Sequence, residues 1–453
     1  MYELKFKKIN ILYLGLFLSL LFFDTQIALL FLLTWICIFP VFKKDFDIFR
    51  PINYFSCWYY YYYGLGFLCY QIRSTLGIAQ DFDNQVMIEA QILSIIVILI
   101  IKLLMLYFPV KKGIRVENQD LFFVKHNIPL LLFLTFINFR ISLLFWKALG
   151  GIPLFIKGFH DSGKATLGQG LGYFEYLQGF CSSLLVFVLI STFYKKNDQK
   201  LSLAIILFNF LLIPLLSDSR GGLVGNLILI FILYSWNKKR IKVLKLFFAG
   251  LCIMILAGVW GVYRGGNLAS VGIVILLEIG VEFDNYVDVI KMFPKEFDFT
   301  LGLTYIPCFT LLFPRFIMPN KNDWMTGAEY FKYIKHHDYI RVGERFTMGG
   351  EGFMNFGLLG SLVLTPLIFF MILRLSDGLY IKYVRENSYK KNFKLEMIAY
   401  LLLSFTQSLL AGDTATAFSG SFYSFMFIIV IFFIISSKYK KNVLGNNICK
   451  SRL

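Results

Sequence analysis

The residues best suited to chemistry are unevenly spread, and the most compact group is Ser217-Asp218-Ser219-Arg220-Gly221-Gly222. A guanidinium in a glycine-broken turn matches the paired oxygens of a phosphate. If the turn also opens a helix, its free N–H groups and the helix dipole favour an anion at the same place. The flanks Leu201 to Leu216 and Leu223 to Trp236 are nearly free of charge. The turn therefore reads as a hairpin between two bilayer spans, with Arg220 held at a membrane surface.

A second concentration lies between residues 263 and 349 and just beyond. It holds the cations Arg264, Arg315, Arg341 and Arg345, the carboxylates Glu282, Asp284, Asp288, Glu344 and Glu351, and the pair His336-His337. Arginines bind anionic oxygens, and a positioned carboxylate or histidine takes a proton from a hydroxyl, so both halves of a group-transfer site are present. Glu351 has two readings, a base or a charge that complements a helix N-terminus. Arg140 lies inside an apolar run, either as a functional charge or as one that snorkels to the interface, and Lys102, nearer the inner end of its run, is read as snorkelling. The D-x-D pairs Asp45-Phe46-Asp47 and Asp81-Phe82-Asp83 read as ordinary loop acids, and no metal site is expected. The seven cysteines form no C-x-x-C pair and read as apolar filler.

The elements that must position these groups are bilayer spans. Hydrophobic residues make up 57% of the 453-residue chain and charged ones 16%, well below the share in soluble domains. The fold class expected is all-α, a polytopic helical membrane protein forming a single transmembrane domain over residues 1–453. Apolar runs predict about twelve spans, near 9–23, 26–42, 52–72, 87–109, 128–146, 173–193, 201–216, 220–236, 244–262, 350–373, 396–412 and 419–436. Lysines and arginines crowd alternate loops and the tail after Lys438, while Arg73 stands alone in its loop. That alternation places both termini in the cytoplasm. The net charge of +17 is then a topology signal that also suits anionic lipids, and no nucleic-acid partner is expected. Two outer segments result, Lys147–Gly172 and the large late loop 263–349. Within the latter, the mostly apolar Leu268 to Val281 and the proline-broken Thr300 to Met318 predict re-entrant or interfacial helices.

Glu351-Gly352-Phe353-Met354-Asn355-Phe356-Gly357-Leu358-Leu359-Gly360 resembles the E-x-[YF]-x-N-F-G-x-x-G signature that opens a late span in the Wzy-type polymerases of O-antigen and related polysaccharides. The Ser219-Arg220-Gly221-Gly222 turn resembles a turn of those proteins, and the order of spans with one large late outer loop is similar. The resemblance implies a glycosyltransferase at the periplasmic face of the bacterial inner membrane. Its donor and acceptor would be undecaprenyl-diphosphate-linked glycans, with membrane lipids and a chain-length regulator as further partners and no cofactor. On that reading Arg220, Arg264 and Arg315 hold diphosphate, with Arg140, Arg341 and Arg345 behind them. Glu351, His336, His337 or Glu282 serves as base. A flippase or transporter of lipid-linked oligosaccharide, and an O-antigen ligase-like transferase, are the alternatives.

Overall fold

A computed structural model describes residues 24–43, 46–78, 82–109, 127–153, 199–217, 220–237, 270–313, 317–336, 347–381 and 393–419, with scattered positions besides. Among these, every regular element is helical. In chain order they are α1 (Thr25–Cys37), α2 (Pro51–Tyr60), α3 (Gly66–Thr75), α4 (Asn84–Tyr107), α5 (Asn127–Ala148), α6 (Gln199–Leu207), α7 (Ile213–Leu216) and α8 (Arg220–Asn237). There follow α9 (Ser270–Met292), α10 (Pro307–Thr310), α11 (Gly327–His336), α12 (Met348–Leu359), α13 (Thr365–Leu379) and α14 (Phe393–Ala411).

Three stretches, Asn84–Tyr107, Leu131–Ala148 and Met348–Leu379, are long and apolar enough to cross a membrane, and several shorter apolar helices accompany them. The described helices thus fit a helical membrane protein. The expected spans near 9–23, 173–193, 244–262 and 419–436 lie largely outside the described residues.

The chain divides into two compact units. One comprises Met1–Gly113, Arg240–Ile381 and Leu402–Ser419; the other comprises Ile114–Lys239, Lys382–Leu401 and Gly420–Leu453. In the second unit, α5 and the α6–α7 pair share polar contacts within an apolar packing. Asn209 donates to Thr135 at 2.8 Å, and the Trp146 indole N–H donates to the Ser217 hydroxyl at 3.2 Å.

The first unit carries the main core. Helix starts are set by short polar side chains: Asp24 accepts from the Ile27 N–H and Asp83 from the Gln85 N–H, each at 3.1 Å. The run Tyr59–Tyr63 reads in the sequence as an aromatic interface or packing feature, and in the fold it packs. Tyr61–Leu65 form a π turn between α2 and α3, and Tyr59 and Tyr63 are buried. Their hydroxyls donate to the Ser94 carbonyl at 2.7 Å and to the Thr347 hydroxyl at 3.0 Å. Tyrosines bury well only when the hydroxyl finds such a partner.

Two expectations change here. Leu268 to Val281, expected as a helix of about fourteen residues, is from Ser270 the first half of the longer α9, which continues through Glu282 and Asp288 to Met292. Nor is Arg73 alone. It lies in the last turn of α3, with its side chain 4% exposed, and meets Asp284 of α9 in a two-pronged pair at 2.7 and 2.9 Å. A Cβ on Gly280 would sit 2.2 Å from the Arg73 guanidinium, so the glycine lets α9 lie flat on the arginine. Loop spacing cannot reveal such a pair, because its partners lie 211 residues apart.

Candidate functional site

Residues Thr347 to Thr365 fold into one local device. Helix α12 starts at Thr347, whose hydroxyl accepts from the Gly350 N–H at 3.2 Å, and it breaks at Phe356 and Gly357, the latter at φ 57° and ψ −137°. A Cβ on Gly360 would lie 1.8 Å from the Gly352 carbonyl oxygen. In a straight helix two residues eight apart are separated by about 12 Å. The chain therefore folds back at the break, and two glycines let the half-helices touch backbone to backbone. Thr365 clasps them further, donating to the Gly360 carbonyl at 3.0 Å. The stretch from Met348 to Leu379, expected as an unbroken span from residue 350, is thus a two-turn helix laid against the longer one.

Breaking a helix frees carbonyls that must find donors. Here they come from the late loop: the Thr300 N–H donates to the Met354 carbonyl and the Leu301 N–H to the Asn355 carbonyl, both at 3.1 Å. Asn355 completes the join. Its Oδ1 accepts from the Thr300 hydroxyl at 2.7 Å and the Gly302 N–H at 2.9 Å, and its Nδ2 donates to the Thr304 hydroxyl at 2.7 Å. Leu301 and Gly302 both take positive φ, 50° and 92°, which turns their N–H groups toward the helix break.

Glu351 lies one turn before Asn355 on the same face and is fully buried. Its Oε1 accepts from the Thr304 hydroxyl at 3.0 Å and its Oε2 from the Thr414 N–H at 2.7 Å. Neither oxygen serves the start of its own helix in these bonds; they join α12 to two distant segments. Asp413 lies beside it, accepting from the Thr416 N–H at 2.6 Å and from the Ala328 N–H at 3.1 Å. Ala328 stands in the first turn of α11, where Thr326 and Glu329 cap each other reciprocally at 2.9 and 3.3 Å. Gly327 brings that turn close, since a Cβ there would be 2.8 Å from Glu351 Oε1. Glu351, Asp413, Asn355, Thr300 and Thr304 so form one buried polar knot, held by hydrogen bonds among its side chains and from nearby backbone N–H groups.

The other expected site residues stand apart or out of view. His336 closes α11, whose start touches the knot, so about 14 Å of helix separates its backbone from Glu351. Glu282 is buried in α9, the helix that carries Asp284 and Asp288. Asp288 pairs with Lys335 of α11 at 2.8 Å. Arg140 lies on an exposed face of α5, and Arg220 is the first residue of α8; both belong to the second unit. Arg264, Arg315, His337, Arg341 and Arg345 lie outside the described residues. Sequence reasoning did not single out Thr304 or Asp413 for a role. The available signal for Asp413 was a lone acid in an otherwise uncharged link between late spans.

The glycine contacts make a direct test. Gly360→Ala forces a methyl into the Gly352 carbonyl and is expected to cost about 3 kcal/mol or more, the upper end of overpacking costs. Gly225→Ala, whose added carbon meets nothing within 4 Å, is expected to be neutral or mildly stabilising. Thermal unfolding in detergent, followed by size exclusion, compares the two; equal midpoints would refute the close packing of the half-helices.

The described helices define an all-helical protein with elements suited to crossing a membrane. Comparison with known proteins finds no matching family model, no matching curated protein and no matching solved structure.

Proposed function

We propose that this chain polymerises undecaprenyl-diphosphate-linked oligosaccharide repeat units into a surface polysaccharide, by glycosyl transfer at the periplasmic face of the bacterial inner membrane. About twelve spans with both termini cytoplasmic complete this reading. The observation that carries it is the Glu351–Asn355 knot: the two polar residues of the signature are buried together at the break of an apolar helix and tied to the late loop. Ionisable groups inside apolar helices are expensive and mark function by default.

The chemistry needs a base and anion ligands. The acceptor hydroxyl oxygen bonds to the anomeric carbon while that carbon's bond to phosphate oxygen breaks, and undecaprenyl diphosphate leaves with the electron pair. Glu351 takes the acceptor's proton. The Thr304 hydroxyl, donating to Glu351 at 3.0 Å, has the geometry that an acceptor sugar hydroxyl would adopt. Arg264 and Arg315 supply the charge that neutralises the leaving diphosphate. Arg220 is the first residue of an 18-residue helix, and a helix start together with a guanidinium favours an anion.

A broken helix also favours a second reading, a transporter of lipid-linked oligosaccharide, since transporters use such breaks at their binding sites. Purified protein incubated with one lipid-linked repeat unit separates the readings. A ladder of lengths supports polymerisation, an unchanged substrate supports transport, and transfer only on addition of lipid A core supports a ligase. Within the polymerase reading, Arg220→Ala is expected to abolish the ladder while folded protein persists, and Arg220→Lys to recover little, because lysine lacks the fork. A near-normal ladder in the alanine variant would remove Arg220 from the site.

A further inference from the structure

The loop that holds the knot turns an apolar face outward. Leu301 is 76% exposed, Phe309 66%, Leu303 56% and Phe313 46%. This face continues onto the helix beyond the break, where Leu358 and Leu359 are 58% and 61% exposed. The continuity is structural, because the Thr300 and Leu301 N–H groups bond to the Met354 and Asn355 carbonyls at the break itself. No charged residue stands between Asp298 and Arg315.

Most backbone N–H groups of the same stretch find acceptors within the protein. N–H groups of Leu303, Tyr305, Ile306, Phe309, Thr310, Leu311, Leu312 and Phe313 each bond to a carbonyl three or four residues earlier. Pro307 has no N–H to satisfy. Apolar side chains outward and backbone groups satisfied inward are the two conditions that hydrocarbon imposes on a polypeptide. An aqueous loop needs neither, and clustered exposed apolar side chains mark a contact surface.

We infer that Leu301–Phe313 is immersed in the hydrocarbon edge of the bilayer, its partner being lipid acyl chains, and that it walls the Glu351–Asn355 knot off from lipid. The inference rests on the membrane reading of the chain. It also deepens the proposed function, because a donor whose reactive end hangs from a polyprenyl chain would meet the knot at the depth of the lipid surface.

Spin labels placed singly at Leu301, Leu303, Phe309 and Phe313, in a background without the native cysteines, test it in nanodiscs of phosphatidylethanolamine with phosphatidylglycerol. The expected result is greater accessibility to oxygen than to a water-soluble nickel chelate at three or more of the four sites, with the order reversed at Asn320, exposed beyond the stretch. Leu103 and Leu106, exposed on the candidate span α4, serve as membrane references. Chelate preference at two or more of the four sites, with the references still favouring oxygen, would overturn the immersion alone. Chelate preference at the references as well would overturn the membrane reading on which it rests. Labels shielded from both reagents at two or more of the four sites would show that protein, and not lipid, covers the face, and would overturn the inference too.

Discussion

Glu351→Gln is expected to reduce polymer synthesis by about a hundredfold or more while leaving the protein folded, since a base that loses its proton affinity cannot be replaced by its amide. The local geometry makes this substitution clean. Glutamine keeps one carbonyl oxygen to accept from the Thr414 N–H, and its amide can donate to the Thr304 hydroxyl, which has a lone pair to spare. Both ties that hold the late loop and the Asp413–Thr414 link therefore survive, and the thermal midpoint should hold. Glu351→Ala is a poorer test: it removes both acceptors and leaves the partly buried Thr414 N–H and the buried Thr304 hydroxyl without their partner, at about 1–3 kcal/mol. The ladder assay and a thermal scan on the same preparation decide the matter. Synthesis within a few fold of the parent, with the midpoint unchanged, would make Glu351 a tether and move the base role to His336, His337 or Glu282.

Arg73→Leu is expected to destabilise the first unit by about 3–5 kcal/mol, because it leaves Asp284 largely buried without its counter-charge. Burial, outweighing the Arg73 contact, holds the Asp284 carboxyl above its ordinary value of 3.8. The site therefore tolerates the charged pair instead of profiting from it. The double variant Arg73→Leu with Asp284→Leu should then recover most of the loss. The sign of the pH dependence follows. A carboxyl raised in the folded state binds its proton more tightly there than in the unfolded chain. Its contribution is most favourable below the ordinary value and is lost as pH rises from there through the folded value. Denaturant titrations of the parent, both single variants and the double variant, at acid and neutral pH, measure the coupling. Single variants within about 0.5 kcal/mol of the parent would place the pair among weak surface contacts.

Much of the architecture was legible because apolar helices are written locally. A run of apolar residues long enough to cross hydrocarbon needs no distant partner to be recognised, so the helices Asn84–Tyr107, Asn127–Ala148 and Arg220–Asn237 fall within a few residues of their expected positions. The glycines and polar residues around Glu351 were visible in the sequence as a cluster. Its glycines read as spacing, but what they permit, the Gly352–Gly360 contact across a helix break, is a fact of three dimensions.

Pairing between distant segments was not legible. Arg73 with Asp284, Asn355 with the Leu301–Gly302 turn, and Glu351 with Thr304 and Thr414 join residues from 47 to 211 positions apart. Nothing in composition or periodicity selects one threonine among many. Local chemistry set where the chain turns apolar, where helices are capped and which residue types can hold phosphate or accept a proton. The packing of α9, α11 and α12 decided which of those residues meet, because a buried carboxylate persists only where several segments bring it donors at once.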